Sequence, residues 1–140
     1  MAQHHIILSS ADEENLNSRQ GEVSIRLPKP LSVRNGRVRL TKLMLGGAKR
    51  GLVWATCDTG ESLVLSNADY QPTLGIFHCD GMRNKVYSYE AGDTWLPVRG
   101  ATISRLTLRL VDPATRKPIS FHSNSQTIIA HIVIDDFDLS

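Results

Sequence analysis

Cysteine is scarce in these 140 residues: there are two, Cys57 and Cys79. That is too sparse for a disulfide framework, and neither belongs to a Cys-x-x-Cys pair that would hold zinc. Both are expected to be free and buried. No apolar run approaches the ~20 residues that cross a bilayer, so no membrane span is expected. The opening Met1-Ala-Gln-His-His5 has neither the charged nor the apolar region of a secretory signal, which points to synthesis and folding in a reducing, soluble compartment. Sustained helical periodicity is missing too, and without it an α/β sheet is not expected. Neither an internal repeat nor a low-complexity tail is present. One domain, 1–140, is expected, with 1–20 as its flexible part.

Charge of one sign is not in excess: 16 Lys and Arg stand against 14 Asp and Glu, a formal net charge of +2. The distribution is less even than the sum. Acid is absent from Arg26 to Arg50, which holds Arg26, Lys29, Arg34, Arg37, Arg39, Lys42, Lys49 and Arg50. Asp12-Glu13-Glu14 and the C-terminal Asp135, Asp136 and Asp138 are acidic patches able to pair with that run.

What the chain does have is alternation. Leu106, Leu108 and Leu110 share one parity with Ser104, while Arg105, Thr107 and Arg109 take the other, which reads as a strand with one wet face. After Asp112-Pro113, the run Thr127–Ile134 is apolar on both parities and is expected to be buried on both faces. Earlier, Gln3–Ser9 reads as a first strand and Asp12–Gln20 as a loop. Val23, Ile25 and Leu27 alternate until Pro28 and Pro30, which should end that strand. Asn35-Gly36 signals a hairpin turn into Arg37–Leu45. There the apolar parity changes near Thr41-Lys42, which predicts a β-bulge. Leu52–Cys57 with Ser62–Leu65, and Thr73–Cys79 with Lys85–Tyr89 across Asp80-Gly81, are predicted as hairpins. Thr94–Val98 is predicted as a short edge strand before Gly100. Eight or nine short strands at this spacing predict an all-β antiparallel sandwich of jelly-roll type.

Reactive constellations are few. Cys57, Cys79, His78 and His131 come without a nucleophile elbow or cysteine motif, and His78 and Cys79 must point to opposite faces of a strand. His4, His5, His78, His122 and His131 show no metal-ligand spacing, so neither metal nor cofactor is expected. Gly46-Gly47-Ala48-Lys49-Arg50-Gly51 is glycine-rich but lacks the phosphate-loop spacing, which leaves a turn or an exposed loop that touches an anion. Arg37, Arg39 and Lys42 raise a nucleic-acid reading, with a solvated strand face favoured over it. Trp54, Tyr70, Tyr87, Tyr89 and Trp95 are aromatic candidates for a receptor or glycan platform. Of these, Trp54, Tyr87, Tyr89 and Trp95 form the candidate ligand set, and Ile129, His131 and Val133 the candidate oligomer interface.

Two stretches carry a family resemblance. Glu22-Val-Ser-Ile-Arg-Leu-Pro-Lys-Pro-Leu31 with Gly36-Arg-Val-Arg-Leu-Thr-Lys-Leu43 forms the first. Ile103–Asp112, Lys117-Pro-Ile-Ser-Phe121 and Thr127–Ile132 form the second. Together they resemble small β-sandwich virion proteins, fibre-head-like components of Polinton- and adintovirus-like DNA viruses. The resemblance covers the two ends and leaves Gly47–Gly100 unmatched, and Arg37 and Val38 stand where that pattern carries a bulkier residue. It implies no catalytic residues and no enzyme. It implies a homo-oligomeric capsid-associated or host-attachment module, a trimer or alternatively a pentamer, located in the virion and made in the host cytoplasm or nucleus. Partners would be copies of itself, other virion proteins and a host receptor or glycan. A glycan-binding lectin-like domain is the alternative.

Overall fold

The computed structural model describes residues 2–12, 20–59, 64–66, 69–71, 73–82, 85–90, 95–122 and 127–137, with backbone alone for 64–66, 69–71, 73 and 101. Residues 13–19 of the expected loop Asp12–Gln20, which include Glu13 and Glu14, together with Ser62, Thr94, Asp138 and the Tyr70 side chain, lie outside what is described. The protein is all-β, and no helix occurs among the described residues. Nine strands are present among the described residues: β1 (Ala2–Ser9), β2 (Glu22–Gly46), β3 (Gly51–Cys57), β4 (Val64–Ser66), β5 (Asp69–Gln71), β6 (Thr73–Cys79), β7 (Val86–Glu90), β8 (Trp95–Val111) and β9 (Thr127–Asp136). Seven of them make one curled antiparallel sheet in the order β1-β9-β2-β8-β3-β6, with β7 also on β2, and β4 pairs with β5.

β2 is the organising strand. Its 25 residues would span about 80 Å if straight, far more than a domain of this size accommodates. It therefore bends, and the prolines show where. Arg26 pairs with Arg105 and Leu31 with Ile103, so Leu27, Pro28, Lys29 and Pro30 stand against Ser104 alone. Pro28 and Pro30 do not end the strand as expected. They occupy the one irregularity of the β2–β8 ladder, where no N–H is needed.

Asn35-Gly36 is likewise not a turn. Both residues are laddered, Asn35 to Arg99 and Gly36 to both Val98 and Asp136. Gly36 is a close-approach residue: a Cβ there would lie 2.1 Å from the Asp135 carbonyl oxygen. The bulge predicted near Thr41-Lys42 is present, as the β2–β9 register shifts between Leu40 and Lys42. That shift keeps Val38 and Leu40 before it, and Leu43 and Leu45 after it, on the buried side.

Among the described residues neither predicted hairpin forms. β3 pairs with β6 and β8, while Val64–Ser66 pairs with β5. β6 pairs with β3, and β7 with β2 at Lys42–Gly46. Trp95–Val98 is no separate edge strand. It opens the 17-residue β8, which runs through Gly100 at φ 57°.

β9 lies between β1 and β2. Ile128, Ala130, Ile132 and Ile134 are fully buried, but the opposite face is dry only at its C-terminal half. Val133 and Asp135 are buried there, whereas Ile129 is 39% exposed. One apolar cluster joins residues from both ends of the chain, among them Leu8, Leu43, Leu74, Leu108 and Ile132. Cys57 and Cys79 are free and buried, as expected.

Candidate functional site

Strand alternation sorts the sequence-derived candidates onto different faces. Tyr87 pairs with Leu45 and Tyr89 with Leu43, so both aromatic rings turn toward the core with their partners. Tyr87 is buried and donates its hydroxyl to Asp80, whose carboxyl is held down at about 2 by Tyr87 and then Lys85. Tyr89 packs against Phe77 with ring centroids 4.5 Å apart and planes tilted by 32°, and it donates to the His78 carbonyl at 2.5 Å, tying β7 to β6. Burial, then the Cys79 thiol, pushes the Tyr89 phenol up. Trp54 is buried beside Val111 and Ile76 and stands outside the main core cluster. Of the four aromatic candidates, Trp95 alone is open, at 44% exposure.

Trp95 belongs to the outward face of the β1-β9-β2-β8 end of the sheet, which also carries the three interface candidates. Across these strands Gln3 lies opposite Asp135 and Asp135 opposite Arg37. The next row runs His5, Val133, Arg39 and Trp95, and the one after it Ile7, His131 and Lys42. Val133 is covered within the chain, His131 is half-buried, and Ile129 and Ile7 are exposed, Ile7 at 60%.

Asp135 anchors this face. Its side chain is fully buried, and it accepts Arg37 Nε at 2.7 Å, Arg39 Nε at 2.9 Å and Gln3 Nε2 at 3.0 Å. Burial alone would raise its pKa. The hydrogen bonds from Arg39, Arg37 and Gln3 overcome that and hold it at about 2. The Arg37 guanidinium lies 5.8 Å from the Trp95 ring centroid and 5.6 Å from that of Phe137, the latter also 44% exposed. The charge is thus set between two exposed aromatic rings.

His5 Nδ1 and His131 Nε2 are 3.0 Å apart, a contact that sequence spacing missed because it is made between β1 and β9. Ring centroids 5.2 Å apart with planes at 25° describe two nearly coplanar imidazoles meeting edge to edge. One must donate and the other present a bare nitrogen, so the pair cannot hold two extra protons while the bond lasts. Burial, then His5, then Arg39 lowers the pKa of His131. Among the described residues no group of three or more His, Cys, Asp or Glu is gathered to hold a metal. His4 takes the opposite parity of β1 from His5, and His122 bonds the Gly81 carbonyl at 2.6 Å.

The fold and this face define an all-β protein whose exposed chemistry is aromatic, cationic and aliphatic on one side of a sheet edge. No protein-family model and no curated protein matches the chain.

Proposed function

We propose that this is a non-enzymatic assembly module of the viral structural type, a capsid-associated or host-attachment component that works as a homo-oligomer. Its curled sheet is then a β-sandwich of jelly-roll type, folded over where Pro28 and Pro30 break the β2–β8 register. The inclusion of Leu8, Leu43, Leu74 and Leu108 in one core supports that layering.

The observation that carries the oligomer is the β1 edge. β1 is the first strand in the sheet order, and its eight residues contain no Lys, Arg, Asp, Glu or Pro and no register shift. Edge strands that must stay single are blunted by such devices, and this one has none. Ile7 and Ile129 add exposed apolar area beside it. The opposite end of the sheet order is β6, also without charge or proline, so pairing β1 of one copy to β6 of the next is heterologous, which gives a ring where the rotation between copies closes and a filament where it does not. The oligomer proposed is a closed ring, a trimer or alternatively a pentamer. The resemblance of the Glu22–Leu43 and Ile103–Ile132 stretches supports the virion setting.

Light scattering across a dilution series tests this. The native protein is expected as a closed oligomer and an Ile7→Lys variant as a folded monomer. A native monomer at all concentrations overturns the reading.

A glycan-binding reading is favoured by the exposed Trp95 and Phe137 flanking Arg37. It rests on Trp95, since Trp54 and Tyr87 are buried and Tyr89 faces the core. A glycan array on which no hit is lost by Trp95→Ala removes it.

A further inference from the structure

The glycine-rich stretch 46–51 does not stand alone in the fold. Ala48 bridges to Phe121, the Lys49 N–H donates to the Ser120 carbonyl at 2.9 Å, and His122 N–H donates to the Gly47 carbonyl at 2.9 Å. These bonds strap it to the segment that follows β8. Between the two lies a cavity of about 320 Å³ lined by Lys49, Arg50, Leu52, Asp112, Lys117 and Ile119, among others. Its far wall is fixed as well, by Asp112 N–H to the Lys117 carbonyl at 2.8 Å and Ile119 N–H to the Leu110 carbonyl at 3.0 Å.

The charge in that cavity is one-sided. Lys49, Arg50 and Lys117 make no ion pair among the described residues. The single carboxylate, Asp112, is engaged in its own turn, where Oδ1 accepts the N–H of Ala114 at 2.7 Å and of Thr115 at 3.4 Å. Three exposed cations on a backbone-fixed rim outweigh one carboxylate, and that net positive charge suits a compact anion. The volume is at the small end of ligand pockets and exceeds what a bare phosphate fills. Leu52, 49% exposed, and Ile119 supply an apolar strip for the remainder.

We propose that this cavity binds a phosphomonoester carried on a small organic body. The phosphoryl group sits among Lys49, Arg50 and Lys117, and the organic part lies along Leu52 and Ile119. The stretch lacks the Ser or Thr that places a metal in phosphate-binding loops, so binding, not phosphoryl transfer, is what the residues provide. The site shares no residue with the outward face of β1 and β9 and stands or falls separately from assembly.

Calorimetric titration of the full chain with glycerol 3-phosphate, inorganic phosphate and a sugar sulfate ester tests it, at pH 5 and pH 7.5. Glycerol 3-phosphate is expected to bind, more tightly at the higher pH because its second proton leaves near pH ~6. Lys49→Ala and Lys117→Ala are each expected to weaken it about tenfold, the loss of one charge-assisted bond. Lys49→Gln and Lys117→Gln replace either variant that fails to fold. No saturable heat, or affinity unmoved by both substitutions, overturns the site. Equal affinity for inorganic phosphate overturns the organic body, and equal, pH-independent affinity for the sulfate ester overturns the preference for a dianion.

Discussion

Asp135 on β9 accepts the Nε of both Arg37 and Arg39, two residues apart on β2, at 2.7 and 2.9 Å. One fully buried carboxylate thereby fixes two guanidinium groups on the outward face and holds that of Arg37 against Trp95 and Phe137.

The carboxyl is held at about 2, below its unfolded value. A depressed carboxylate pKa contributes stability that is complete above the unfolded pKa near ~4 and is lost as pH falls through the folded one. Unfolding free energy should therefore drop by about 2 kcal/mol between pH 5 and pH 2 through this group. Asp135→Asn should remove roughly that much at pH 7 and flatten the acid limb, read by urea titration at each pH.

Gly36 lies where β2 passes the Asp135 carbonyl, with no room for a Cβ. Because the obstacle is backbone, Gly36→Ala must part β2 from β9. The expected cost is roughly 1–3 kcal/mol, seen as a lowered midpoint in chemical denaturation.

Burial pushes the Cys57 thiol up to about 12 and raises that of Cys79. Since thiolate is the reactive form, neither should be alkylated by iodoacetamide at pH 7.5 in the folded protein. Both should label fully in denaturant, as counted by intact mass.

His131 takes a proton less readily than an ordinary histidine, facing His5 on β1 and Arg39 on β2, with Lys42 as its register partner. A lowered histidine pKa means the unfolded chain binds the proton first, so stability falls as pH drops below ~6.5. NMR titration should place the His131 midpoint below that of a model imidazole, and His5→Ala should move it upward.

The strands were legible wherever alternation was local. Leu106, Leu108 and Leu110 announce β8, and the parity change between Leu40 and Leu43 announces the bulge in β2. Pairing was not legible, because turn chemistry was read as local when the fold used it over long range. Asn35-Gly36 serves close packing against β9, and Pro28 and Pro30 mark a bend, so one 25-residue strand reads as two. Asp80-Gly81 lies between β6 and β7, which join different neighbours. Of the aromatic set, Tyr87 and Tyr89 follow the inward parity of Leu45 and Leu43, visible only once that register is known. The His5–His131 contact spans 126 positions of sequence, and only the β1–β9 register reveals it.

Backbone amide exchange along Ala2–Ser9, followed by NMR over a concentration series, tests assembly through the β1 edge most directly. If a neighbouring copy covers that edge, the β1 amides that point away from β9 are protected at high concentration and lose protection on dilution. Rapid exchange of those amides at every concentration would contradict it.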